Sequence, residues 1–163
     1  MRTIKFRGKK VTNGVWAYGS LVYLDENGAA IYVQTGNGSA MVMDLVYVAP
    51  DTVCQFTGFL DKNGKEIYEG DVLRSDEYPY SCIGDKKRDN YYAVVYYCEE
   101  GACFGTVTAK NPSSDVGGIS DGILDDVERE KMKNFEVVGN IHEENWQQYG
   151  EYFKNEEKEA DND

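Results

Sequence analysis

The chain has 163 residues, 41% hydrophobic and 13% aromatic with 13 tyrosines, which is about one domain's length and too rich in β-favouring side chains for a disordered polymer. Its 29 acids against 17 bases give a net charge of −12, which disfavours broad binding to phosphate backbones, because such binding rests on cationic contacts. The sequence holds no apolar run of transmembrane length and opens on MRTIKFRGKK without a signal peptide's apolar segment, so a cytoplasmic protein is expected, with reduced thiols and no membrane partner.

In chain order, Ile4 and Phe6 alternate with Lys5 and Arg7, the two-residue period of a half-buried strand with a basic outer face. The first ten residues carry Arg2, Lys5, Arg7, Lys9 and Lys10 and no acid, so the remainder of the chain stands at −17. GVWAYGSLVYL and AAIYVQ predict two strands joined by an Asn-Gly connection in DENG. A further strand is expected over 41–48; Pro50 interrupts it for want of an amide donor, and DTVCQFTGF resumes the meander.

The segment TGFLDKNGKEIYEGDVL, 57–73, poses a choice between an ion site and a turn. Asp61, Asn63 and Gly64 stand between apolar residues, and Asn-Gly tolerates positive φ, which predicts a hairpin turn. Gly70 and Asp71 then punctuate the next strand, the carboxylate accepting from nearby amides. A calcium loop starting at Asp61 fails on its donors: Lys65 stands where an oxygen ligand is required, Glu66 where glycine is required and Val72 where a bidentate glutamate is required. The glycines do not have Walker spacing either.

SDEYPYSCIGDKKRDN, 75–90, is polar and aperiodic and predicts a long surface loop. YYAVVYYC and CFGTVTA predict a hairpin around EEGA, followed by a second irregular stretch over 110–126. Asp115, Asp121, Asp125 and Asp126 lie in or beside that stretch, where carboxylates are ordinarily solvated rather than gathered on a metal. Helices are expected over DDVEREKMKN, whose acids lead and lysines follow as the helix dipole favours, and over the terminal stretch that aligns Trp146, Tyr149 and Phe153. FEVVGNI between them predicts the closing strand. The domain expected is 1–149, with a candidate sub-boundary near 50–57, followed by an acidic, partly disordered tail over 150–163.

Four stretches, IKFRGK (4–9), VWAYGSLV (15–22), TVCQFTGFLDKNGKEIYEGDVL (52–73) and FEVVGNIHEEN (135–145), resemble the YopX family of phage and prophage proteins. The last departs from the family's pattern by one additional Glu before Asn145, and the two loops and the acidic tail depart more widely. The resemblance implies an all-β fold, an antiparallel meander containing a small SH3-like barrel, and self-association into a homo-oligomer. It implies no settled activity, and no catalytic residue or cofactor is carried over.

Three functions compete. Catalysis would rest on His142 beside Glu143 and Glu144, with Cys54 or Cys103 as nucleophile, but no activating motif surrounds either cysteine. Zinc is disfavoured because Cys54, Cys82, Cys98 and Cys103 follow no CxxC spacing and His142 is the only histidine. No catalytic, metal or cofactor residue is therefore assigned. A nucleic-acid surface can be built from a basic strand with aromatics, namely Lys5, Arg7 and Trp16 with Tyr18 beside them, although lysines on an edge strand also serve simply to discourage aggregation. The leading expectation is a non-catalytic accessory protein that acts through self-association and contact with a phage or host protein. A variant in which its acids imitate DNA lacks any visible periodicity.

Overall fold

The computed structural model describes residues 3–25, 28–35, 42–76, 91–107, 122–124, 133–144 and 146. The chain divides into two compact units, Met1–Gly58 and Phe59–Asp163.

In the first unit β1 (Phe6–Lys9), β2 (Trp16–Asp25), β3 (Gly28–Thr35), β4 (Val42–Val48) and β5 (Cys54–Leu60) are ordered β4-β3-β2-β1-β5, every described pairing antiparallel. β1 begins two residues later than the alternation suggests, and Ile4 is 67% exposed outside it. A 3₁₀ turn, Pro50–Thr52, separates β4 from β5, as the missing amide of Pro50 requires. One face of the sheet is the core: Ala17, Ala29, Ile31 and Val48 are buried, with Phe6, Leu21, Val33, Val46 and Val53 packed against them. Gly8 sits where a Cβ would lie 2.8 Å from the Val48 side chain, so glycine lets that side chain close on the sheet.

β5 carries the chain from the first unit into the second, and its last residues form a hairpin with β6 (Glu66–Tyr68). There β7 (Asp71–Ser75), β8 (Tyr91–Cys98), β9 (Cys103–Val107), β10 (Gly122–Ile123) and β11 (Glu136–Asn140) form an antiparallel sheet ordered β10-β9-β8-β7-β11. This sheet is apolar on both sides, which accounts for the near-continuous apolar run of β8. Tyr91, Ala93 and Val95 enter a cluster with Leu73, Phe104 and Phe135, while Val94 joins Val72 and Val107 opposite. A bulge between Val137 and Gly139 in β11 gives Val137 to the first cluster and sets Val138 against the second.

The fold is mainly β and antiparallel. Neither sheet closes into a barrel among the described residues, so the small SH3-like barrel implied by the resemblance is not borne out. Closure needs a ladder between the outer strands, whereas β4 meets the chain after β1 through one bridge, Lys10↔Val48, and hydrogen bonds from Val11 N to Tyr47 O (3.2 Å) and from Ala49 N to Lys9 O (2.9 Å). The described residues contain no α-helix and no helix long and apolar enough to cross a membrane. Most of the two segments expected to be helical, 125–134 and 146–153, lies outside the described residues, as do 77–90, Asp115, Asp121 and the tail over 150–163.

Candidate functional site

Side chains alternate across a strand, so the register of β1 to β4 fixes what stands opposite the first unit's core. Arg7 faces Tyr18, Lys9 faces Trp16, Ser20 faces Tyr32, Tyr32 faces Leu45, Gln34 faces Met43 and Ala30 faces Tyr47. Tyr18, Tyr32, Met43, Leu45 and Tyr47 are thus one contiguous set on one face, and each is exposed, Tyr47 to 57%. The Tyr32 hydroxyl donates to Met43 Sδ at 3.1 Å, linking two of them.

The basic residues predicted as a contact border this set. The Arg7 guanidinium lies 4.5 Å from the centre of the Trp16 ring, Lys9 Nζ lies 5.5 Å from the same ring, and Lys5 Nζ lies 5.8 Å from the Tyr18 ring. All three are cation–π distances, in which the positive head sits against the negative face of the ring. The structure therefore brings Lys5, Arg7 and Trp16 together, but Arg7 is only 4% exposed. The alternation had placed Arg7 on a solvated outer face; stacking on Trp16 draws it inward, and Lys5, Lys9 and Trp16 are the half-exposed members of the group.

The turn residues form a separate constellation in the second unit. Asp61, nearly fully buried, accepts from Asn63 N at 2.7 Å and Lys65 N at 2.9 Å through Oδ1, and from Val137 N at 3.1 Å through Oδ2. One carboxylate thus ties the β5–β6 turn to β11, with Gly64 at φ 79°. Asp71 accepts from Tyr68 N at 2.8 Å through Oδ2 and from Asn140 Nδ2 at 3.2 Å through Oδ1. Gly70, at φ 75°, donates to Val95 O and accepts from Ile141 N. Both carboxylates point at amides rather than into a shared cavity, and the described residues hold no cluster of three or more potential metal ligands. Asn140 was not singled out from the sequence; its only signal was its place at the end of a predicted strand.

The catalytic alternative rests on His142 with Cys54 or Cys103, and Cys103 is half-buried at the end of the β8–β9 hairpin. His142 follows β11 in a turn, its backbone amide donating to Asn140 Oδ1 at 2.9 Å. Cys54 is 1% exposed, with its Sγ donating to Thr52 O at 3.3 Å, and a nucleophile needs access that this position denies.

Compared with protein families, the chain matches the model described as YopX protein over residues 5–145. A crystal structure of protein EF1440 from Enterococcus faecalis is 19% identical, covers 87% of this chain and 95% of its own, and superposes with a TM-score of 0.47. No curated protein matches.

Proposed function

The chain belongs to the YopX protein family, and from that premise we propose that it is a non-catalytic accessory protein of phage or prophage type, acting through self-association and contacts with a phage or host protein. The observation that supports this reading is the exposed set Tyr18, Tyr32, Met43, Leu45 and Tyr47 on one sheet face. Exposed apolar side chains scattered singly need no explanation, whereas a contiguous group rimmed by polar residues is the signature of an interaction surface. Tyrosine and methionine are also residue types favoured at protein interfaces.

The first occupant of this face is a second copy of the chain, since the same apolar set on two molecules can be buried mutually around a two-fold axis. Light scattering on the purified chain tests it: a mass above that of a single chain, falling on dilution, is the expected result, and a monomer at high concentration removes the reading.

A second reading, contact with single-stranded nucleic acid, is favoured by the arrangement of Lys5, Arg7 and Lys9 against Trp16 and Tyr18. Cations beside stacking rings are the elements of a single-strand platform. Against it stand the net charge of −12 and the burial of Arg7. Fluorescence anisotropy with labelled single-stranded DNA separates the two readings: salt-dependent binding lost in Trp16→Ala supports the second, and no binding at low salt ends it.

A further inference from the structure

We propose that Cys98 and Cys103 form a redox-active dithiol that closes to a disulfide across the neck of the β8–β9 hairpin. The two residues are the last antiparallel pair of the ladder, directly opposite each other, with Glu99, Glu100, Gly101 and Ala102 as the connecting loop. Opposed residues in an antiparallel ladder have Cα atoms about 4.5 or 5.5 Å apart, depending on the pair type, and both values lie in the range of roughly 4.4–6.8 Å that a disulfide accepts. Their side chains also leave the sheet on the same face.

The loop also leaves room for the two sulfurs on the same side of Gly101. A Cβ built on Gly101 would lie 2.9 Å from Cys103 Sγ and 3.6 Å from Cys98 Sγ, so both sulfurs stand over the one residue that has no side chain to keep them apart. Ala102, at φ 49°, turns the chain back into β9 and is the one non-glycine residue with positive φ among the described residues. Both cysteines are half-buried at the hairpin end, unlike Cys54, which is enclosed. A small disulfide can therefore reach them.

The reaction is a two-step exchange with a low-molecular-weight disulfide such as glutathione disulfide. One cysteine, as its thiolate, attacks a glutathione sulfur, breaking that S–S bond and releasing one glutathione. The other then attacks the protein-bound sulfur of the mixed disulfide and releases the second glutathione. Two electrons pass from the protein dithiol to glutathione disulfide, and the two thiol protons end on the two glutathiones. The ring closed is short, so the bridge restricts the unfolded chain less than one closing a long loop; it also locks the hairpin end and removes two thiols.

Incubating the full chain with glutathione disulfide, followed by intact-mass measurement and cleavage after Glu99 and Glu100 under non-reducing conditions, tests this. The expected result is loss of two hydrogens and a pair of peptides joined through Cys98 and Cys103, separated by reductant. Cys82→Ser should close as the natural chain does, and in that background Cys98→Ser and Cys103→Ser, each checked for native circular dichroism, should instead hold one glutathione as a trapped mixed disulfide. Stable glutathionylation of the natural chain without closure, a bridge to Cys54 or Cys82, or no reaction would each overturn the proposal.

Discussion

At Asp71 a side chain 1% exposed holds the amide of Tyr68 and the amide group of Asn140, an interaction that depends on both carboxylate oxygens being aimed at donors. A buried donor stripped of its acceptor costs on the order of 1–3 kcal/mol, so Asp71→Ala should lower stability by about 2–4 kcal/mol in urea unfolding, and Asp71→Asn, which keeps one carbonyl acceptor, by less. Gly70 makes a sharper case. Its φ of 75° lies in the left-handed region, and a Cβ there would meet Ile141 and the Asn140 amide at 3.1 and 3.2 Å. Gly70→Ala should therefore cost at least about 1–2 kcal/mol from the backbone alone, whereas the same change at Gly64, whose added Cβ would meet nothing within 4 Å, should cost only the backbone part. The difference between the two urea midpoints measures the packing contribution. These residues were readable because a turn's requirements are local: asparagine and glycine for positive φ, a carboxylate for amides two to four positions away. The bond from Val137 N to Asp61, spanning 76 positions, carried no such local sign.

At the level of elements, legibility follows periodicity. β8 and β9 stand where YYAVVYYC and CFGTVTA placed them, and β2, β3 and β4 lie close to their expected spans, because β-branched and aromatic runs bounded by turn residues have few other ways to satisfy their backbones. β10 was not anticipated: two residues, Gly122 and Ile123, pair with Thr106 and Gly105, and a two-residue strand has no period to detect. The burial of Arg7 was hidden for a different reason, since alternation gives a face but not what stacks upon it. β4 is the element on which the proposed contact turns. Its pattern is almost wholly exposed, Met43, Leu45 and Tyr47 project from the same face, and Asp44 is its sole charge. That is a strand without the lysine or proline that usually guards an outer position. Leu45→Lys should leave unfolding within roughly 0.5 kcal/mol of the natural chain, as exposed substitutions generally do, yet yield a monomer by light scattering at concentrations where the natural chain associates. Association that persists in Leu45→Lys and in Tyr47→Lys would place the contact elsewhere.

For the whole molecule the decisive quantity is the net charge of −12. Two copies approaching through an apolar face must bring like charges together, and at physiological ionic strength that repulsion extends about 8 Å, shrinking to about 3 Å at 1 M salt. If Tyr18, Tyr32, Leu45 and Tyr47 supply the attraction, added salt removes an opposing force while leaving the apolar burial intact. Association should therefore strengthen from low to moderate sodium chloride. A contact made by the basic residues of the first ten, docking against the acidic remainder of a second copy or against nucleic acid, has the opposite dependence, because salt screens the attraction itself. Sedimentation equilibrium across a sodium chloride series thus reads which part of the first unit does the binding. A dissociation constant that falls with salt assigns it to the tyrosine face, and one that rises with salt transfers it to Lys5, Lys9 and their aromatic neighbours.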